Sequence, residues 1–253
     1  MPAPRRRKRC LHVILPAYNE EATLSTLLVR LDEAMEEAGL DYEVVLVDDG
    51  SSDRTGEIAQ RWARDHPLTS VRHERNQGLG ATIRDGLFEA ASRAAPGDVL
   101  VTMDADDTHT PGLILRMARM IAEGYDVVIA SRYREGSRTV GVPFSRRALS
   151  WAGSMLFRIV LPIRGVRDFT CGYRAYRAEV VQQAIAEHGR GLVDQEGFQC
   201  MVDILLKLRN RPLIFGEVPM VLRYDRKHGT SKMPVGRTAA STLGLLMRRR
   251  MAR

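Results

Sequence analysis

Two hydrophobic periods alternate along the first half of the chain. Short apolar runs at Leu11 to Leu15, Tyr42 to Val47, Val99 to Val101 and Val127 to Ala130 have the length and β-branched content of buried strands. A weaker strand is predicted near Ser70 to His73. Between these runs apolar residues recur at three- and four-residue spacing: Leu24, Leu27, Leu28, Leu31 and Met35; Ile83, Leu87 and Ala90; Leu113, Leu115, Met117, Met120 and Ile121. Each set puts one apolar stripe on a helix. A shorter helix is predicted through Ile58 to Trp62, capped by Asp53, and Gly39 is the expected C-terminal stop of the first helix. Strand–helix alternation of this kind predicts an α/β fold, a mainly parallel sheet with helices on both faces.

The pattern changes after residue 134. Glu135 to Phe144 is rich in Gly, Ser and Arg and reads as a loop. Leu149, Trp151, Met155, Leu156 and Ile159 form a helical stripe expected to pack into the core. Asp168 to Arg177 reads as a short strand region, Phe198 to Leu208 as a helix, and Leu213 to Leu222 as an antiparallel edge strand, since Pro219 cannot donate to a central ladder. The expected organisation is a basic tail over 1–10, one domain over 11–233 and a basic helix or tail over 234–253. Arg237 onward carries Leu243, Leu246 and Met247 near helical spacing, which suits either a helix lying on a membrane or one docked on its own domain.

Charge narrows the choice of partners. The 253 residues carry a net charge of +7, much of it in Arg5-Arg6-Arg7-Lys8-Arg9 and in Arg248-Arg249-Arg250 with Arg253. Such an excess favours anionic partners. No stretch approaches the ~18 apolar residues of a membrane span, and no apolar run after the basic start is long enough for a secretory signal. Cys10, Cys171 and Cys200 are too scattered for a metal site and suit a reducing compartment. The expectation is a cytoplasmic protein that is soluble or peripheral on the cytoplasmic face of a membrane.

Candidate chemistry lies where the strands end. The run Val99 to Met103 stops in Asp104-Ala105-Asp106-Asp107, the second strand in Asp48-Asp49-Gly50-Ser51, and the first is followed by Glu20-Glu21. Right-handed crossovers bring loops at strand carboxyl ends to one edge of a parallel sheet, where ligands bind. Two carboxylates in Asp104-Ala105-Asp106 suit a hard divalent cation, which takes one or two carboxylates plus substrate phosphates. This acidic rim would repel a nucleic-acid backbone, and the basic blocks lack interleaved aromatics, so no specific nucleic acid is expected. A non-catalytic ligand-binding or nucleic-acid-binding protein is the reading from another class that the basic charge permits.

Together these residues resemble a known family. Leu15-Pro16-Ala17-Tyr18-Asn19-Glu20-Glu21, Val47-Asp48-Asp49-Gly50-Ser51, Arg75-Asn76-Gln77-Gly78-Leu79-Gly80 and Asp104-Ala105-Asp106 are similar to the successive signatures of family 2 glycosyltransferases, which have the Rossmann-like GT-A fold. Ser131-Arg132-Tyr133, Asp168-Phe169-Thr170-Cys171-Gly172-Tyr173-Arg174, Gly216-Glu217-Val218-Pro219 and Arg226 with Gly229-Thr230-Ser231-Lys232-Met233 resemble the dolichyl- and polyprenyl-phosphate mannosyltransferase branch. The resemblance implies an inverting sugar transfer from a nucleotide-sugar donor, most simply GDP-mannose, to a lipid phosphate. It implies that Pro16, Ala17, Tyr18 and Glu20 hold base and ribose, that Asp48 contacts the base, and that Asn76 and Gly80 line the nucleotide pocket. Asp104 would hold ribose or metal and Asp106 the metal, Mg²⁺ or Mn²⁺, with Ala105 and Asp168 also on the substrate side. Arg132, Arg146, Arg226 and Lys232 would meet the donor diphosphate or the acceptor phosphate. Asp106, Arg132 and Arg226 are the candidate catalytic residues. Peripheral membrane contact, a membrane partner protein or a second copy of the chain would complete the setting.

Two departures leave choices open. Thr108 stands where some relatives carry a metal-binding Gln, which leaves Asp107 or water as a third ligand. Gly191-Leu192-Val193-Asp194-Gln195-Glu196-Gly197-Phe198 carries Asp194 and Glu196, and Asp203 is the other candidate for the family's helix acid. A lipid phosphate is already anionic and needs no base, whereas a hydroxyl-bearing small molecule or glycan needs a carboxylate within reach. A soluble transferase with Asp194 or Glu196 as base is therefore the alternative, and capping of the following helix is the plain role for both.

Overall fold

The structure, a computed structural model, describes residues 9–142, 144–160, 162–197 and 199–226. The first half alternates as its periodicity requires: β1 (Cys10–Ala17), α1 (Leu24–Glu37), β2 (Asp41–Asp48), α2 (Thr55–Trp62), β3 (Leu68–Arg72), α3 (Leu79–Arg93), β4 (Val99–Thr102), α4 (Leu113–Ala122) and β5 (Val127–Ser131). Then come β6 (Arg138–Val140), α5 (Phe144–Val160), β7 (Arg174–Arg177), α6 (Ala178–His188), α7 (Gln199–Leu208), β8 (Phe215–Pro219) and β9 (Val221–Arg223). One seven-stranded sheet runs in the order β3-β2-β1-β4-β7-β5-β8, and β6 and β9 form a separate two-stranded ribbon.

The central strands are apolar on both sides because both faces are covered. Val13, Ile14, Val44 to Val47, Leu100, Val101 and Val127 to Ala130 are all wholly buried. The stripe Leu24, Leu27, Leu28, Leu31 and Met35 closes α1 onto this core. α1 ends as expected: Ala38 caps it and Gly39 follows at φ +62°, the left-handed step that glycine makes cheaply. Strand order reverses between β1 and β4, so the switch point that opens a crevice in a doubly wound sheet lies between their carboxyl ends.

β1 continues through Pro16, although prolines break ladders. Ile14 O accepts from Met103 N and Ala17 O accepts from Asp49 N. Alternation therefore turns Pro16 toward the β4 side, where pairing already ends at Ile14 with Thr102. The missing N–H of Pro16 costs no ladder bond.

Three expectations are corrected. β8 does lie at the sheet edge, as Pro219 suggests, but it runs parallel to β5; the antiparallel strand is β7, held between β4 and β5. The Gly-rich segment after residue 134 contains β6, paired in parallel with β9. The α5 stripe is not core: Trp151, Leu156 and Ile159 are 58%, 44% and 74% exposed, and it is Phe157 and Ser154 that turn inward. Periodicity marks an apolar face on α5, but both faces qualify, and packing uses the other one. No disulfide joins the described cysteines, and burial pushes the Cys171 and Cys200 thiols up to about 12. Lys232 and everything else from residue 227 onward, the basic terminal helix or tail included, lie outside the described residues, as do the basic residues before Arg9 and the side chain of Arg146.

Candidate active site

The loops that follow β1, β2, β4 and β5 carry most of the expected site residues, and the Asp168–Gly172 loop before β7 adds to them. The loop after β1 is zipped to the loop after β2. Asn19 N donates to Ser51 Oγ at 2.9 Å, Ser52 N to Asn19 Oδ1 at 2.9 Å, and Glu20 N to Thr55 Oγ1 at 2.8 Å. Asn19 sits at φ +52°, a conformation its short amide side chain tolerates. Asp53 accepts from Thr55 N at the start of α2 and reaches across to Glu21 N, so it is a cap and a tie at once.

The β1 loop is tied to the acidic tip of β4 as well. Thr23 Oγ1 lies within 3.2 Å of both Glu20 Oε2 and the Ala105 carbonyl. Glu20 and the Asp104–Asp106 turn are thereby neighbours, as a shared rim requires. Ala105 is buried and contributes its backbone. Within the turn, Asp106 Oδ1 accepts from Thr108 N and Thr108 Oγ1, the latter at 2.6 Å. Thr108 thus orients Asp106 where a Gln ligand was the family expectation. Asp107, at φ +54°, pairs with Arg30 of α1 through Oδ2, while its buried Oδ1 has no hydrogen-bond partner among the described residues.

Asp104 keeps a third of its side chain exposed and lies 4.0 Å from His109 Nε2. His109 is itself buried and stacked on Tyr173, ring centroids 4.9 Å apart. Sequence reasoning passed over His109; its place five residues after Asp104 was the available signal. Among the described residues no cluster of three or more His, Cys, Asp or Glu is arranged to hold a metal. Two hard carboxylates remain at the tip of β4, a donor set that fits Mg²⁺ or Mn²⁺ completed by phosphate and water rather than a closed protein cage.

The opposite wall is an arginine held from behind. Arg132 follows β5 and meets the fully buried Asp168 as a fork, Nε to Oδ2 at 2.8 Å and Nη2 to Oδ1 at 2.7 Å. Nη2 also donates to Thr170 Oγ1 at 2.6 Å. Nη1 makes no hydrogen bond within the described chain and the side chain is 24% exposed, so one donor edge is left to face outward. Burial works against charge on both partners, but their attraction and hydrogen bonds prevail. Arg132 is held well above, and Asp168 below, its usual range. Asp168, expected on the substrate side, is corrected to the group that aims Arg132, because no part of it is exposed.

Behind Asp168, Glu217 Oε1 accepts the N–H groups of Arg167 and Asp168, and burial raises Glu217 above the usual glutamate range despite those bonds. Arg174, wholly buried at the start of β7, donates to the carbonyls of Phe169, Cys171 and Met201. It staples the Asp168–Gly172 loop to α7. Gly172 borders Asp104, and its carbonyl accepts from Thr102 Oγ1 at 2.6 Å. Arg226 belongs to a turn following β9, and Arg223 N donates to the Thr108 carbonyl at 3.0 Å. The Arg226 segment therefore starts beside the acidic turn.

The remaining expected residues divide. Pro16 and Tyr18 are partly exposed at the head of the groove, Ala17 is buried and Asn76 is exposed. Asp48 is wholly buried; Oδ1 accepts from Ser51 N, and among the described residues the charge nearest Oδ2 is Arg72 Nε, at 3.5 Å. It shapes the turn and presents no exposed atom to a base. Gly80 is filled from within the chain. Its N donates to the Glu196 carbonyl, and a Cβ there would stand 1.8 Å from the Gln195 carbonyl. Asp194, the alternative base, pairs with Lys207 at 3.4 Å and accepts from Gln195. Against the cost of burial, those bonds together with Asp203 and Lys207 hold Asp194 below the usual range and keep it ionised.

Residues 12–184 match the sequence model of the family described as Glycosyl transferase family 2. The chain belongs to that family. Its GT-A fold is shared with solved glycosyltransferases. Glucosyl-3-phosphoglycerate synthase from Mycobacterium tuberculosis, in complex with Mg²⁺ and uridine-diphosphate, superposes with a TM-score of 0.68 at 20% identity, covering 95% of this chain and 79% of that one. Among curated relatives, the dolichol-phosphate mannosyltransferase of Pyrococcus furiosus is 37% identical over 87% of this chain, which spans 58% of that protein's length. The undecaprenyl-phosphate mannosyltransferase of Micrococcus luteus is 35% identical over 88% of this chain and 87% of its own. Within this family 2 chain, Thr23 links Glu20 to the Ala105 carbonyl, and Arg132 holds Thr170, two residues before the Gly172 that borders Asp104.

Proposed function

We propose that this glycosyltransferase moves a sugar from a nucleoside diphosphate donor, GDP-mannose in the first instance, to a polyprenyl phosphate with inversion at the sugar carbon. The observations that carry the reading are a carboxylate tip, Asp104 and Asp106, and an Arg132 fixed by Asp168 and bonded to Thr170, in the loop whose Gly172 borders Asp104. A departing nucleoside diphosphate gathers negative charge. A divalent cation held by Asp104 and Asp106 supplies neutralisation of that charge without proton transfer. Arg132, fixed by Asp168, offers Nη1 to a phosphate oxygen without having to be reoriented during reaction. Arg226 lies on the segment that adjoins the same turn and is the second candidate phosphate ligand. The names of the relatives support a lipid-phosphate acceptor, and the Mg²⁺ and uridine-diphosphate of the structural neighbour support a metal-assisted nucleotide site.

The acceptor needs no base on this reading. A phosphate monoester is anionic at neutral pH and attacks directly, which agrees with Asp194 being committed to Lys207. The acceptor also sets the place of work. No helix among the described residues is long and apolar enough to cross a membrane. The outer face of α5 instead exposes Trp151, Leu156 and Ile159. Arg158, Arg164 and Arg167 beside it are exposed and make no ion pair among the described residues. An apolar face flanked by unpaired arginines suits peripheral contact with an anionic bilayer.

The test is transfer from a panel of sugar nucleotides to a polyprenyl phosphate in detergent with Mn²⁺. Formation of a lipid-linked mannose that stops on addition of EDTA is expected. Nucleotide-sugar turnover indifferent to both the lipid phosphate and EDTA would refute the reading.

A further inference from the structure

His73 stands just past β3 and is 6% exposed, away from any surface role. Its Nδ1 lies 2.6 Å from Asp49 Oδ1 and its Nε2 lies 3.2 Å from Asp85 Oδ2. The ring thus stands between two carboxylates, one within hydrogen-bond distance of each nitrogen. Each carboxylate it touches leads to a different wall of the donor groove.

Asp49 is the hub of the first wall. Its Oδ1 also accepts from Gln77 N at 2.8 Å and its Oδ2 from Gly78 N at 2.9 Å, so one carboxylate holds the turn that opens α3. The same turn presses against Gly50, where a Cβ would stand 2.7 Å from the Arg75 carbonyl carbon. Asp85 is the hub of the second wall. Arg84 Nε donates to it at 3.0 Å, and Arg190 Nη2 approaches at 3.4 Å from the turn before residues 193–197. Those residues are the ones whose backbone closes over Gly80. The charged groups facing the imidazole are thus Asp49 from the end of β2 and Asp85 from α3, with Arg84 and Arg190 beyond Asp85.

We propose that His73 is a positioning residue for donor binding. By clamping Asp49 to Asp85 it fixes the Arg75–Gly80 turn and the 193–197 segment at one spacing, and so sets the affinity for a nucleoside diphosphate. It touches no reacting atom. This rests on the reading of the rim as a nucleotide-sugar site.

The two ring nitrogens have separate mimics. Asn places an amide N–H near the position of Nδ1, toward Asp49, and Gln places one near Nε2, toward Asp85. The experiment measures binding of GDP and of UDP with Mn²⁺ to the full chain by calorimetry, for wild type, His73→Ala, His73→Asn and His73→Gln, alongside melting temperature and steady-state kinetics. His73→Ala leaves the buried Asp49 carboxylate with only its two backbone donors, and about a tenfold loss of nucleotide affinity is expected. The loss should show in KM for the donor with kcat at saturation nearly kept. His73→Asn should recover more affinity than His73→Gln, because Asp49 holds the turn directly. A lowered melting temperature with unchanged affinity in all three variants overturns the proposal and leaves His73 a structural residue. An unchanged affinity in correctly folded His73→Asn and His73→Gln, with His73→Ala unfolded, overturns it equally. If wild type binds neither nucleotide, it is the reading of the rim that fails, and this inference with it.

Discussion

Neutralising Asp106 takes away one of two hard oxygen donors at the tip of β4 while leaving the fold intact, since its partner Thr108 lies in the same turn. Asp106→Asn is expected to lower kcat by about a hundredfold or more, in line with loss of a preorganised electrostatic contact, and added Mn²⁺ should rescue it only in part. Wild-type turnover in that variant would dismiss the metal role. Asp168 makes a different prediction, about pH. Its folded value is depressed, so the stability it contributes is complete above the ordinary aspartate range and is lost as pH falls from about 4 through the lower folded value. Asp168→Asn should cost about 3 kcal/mol at neutral pH and flatten that acid limb in urea titrations. A steep limb unchanged in the variant would assign the proton uptake to another group. The loops that carry the acids were readable from the order of strands and motifs, because short apolar runs ending in carboxylates mark strand ends. What could not be read was commitment to other partners: Asp107 to Arg30, Asp168 to Arg132 and Asp194 to Lys207 are long-range pairings that no local spacing announces.

At the scale of elements, the groove depends on segments that meet without side chains between them. Gly80 on α3 admits the Gln195 carbonyl, and adding one methyl group there must displace backbone. Gly80→Ala should cost about 2 kcal/mol or more and weaken nucleotide binding, whereas Gly153→Ala on α5, with nothing within 4 Å, should be neutral or slightly stabilising. Paired melting curves decide it; equal curves would mean that the 193–197 segment is not seated on α3. The strands and helices up to Ser131 follow directly from their hydrophobic periods. Beyond Ser131 the periods persist but their meaning changes, because β7 has only four residues and its direction is set by its neighbours, not by its sequence. The α5 stripe misled for a related reason: spacing marks an apolar face without saying whether the rest of the chain packs on it.

For the whole molecule, the exposed face of α5 and its arginines predict binding to vesicles rather than to neutral surfaces. Flotation with liposomes containing anionic lipid should carry the protein upward, and the double change Trp151→Ser with Ile159→Ser should leave it at the bottom while nucleotide binding is retained. Equal flotation of the two proteins would move the membrane contact elsewhere. The place of β7 bears on how such a chain is made. β4 and β5 are near in sequence yet never touch as strands; a strand synthesised some forty residues after β5 fills the gap between them. Until it emerges from the ribosome, the growing chain carries two raw sheet edges of the most apolar kind, open to any passing strand. A polypeptide halted near residue 170 should therefore be a client of chaperones or a seed of precipitate, whereas one extended past β8, which covers the other edge of β5, should already hold its shape.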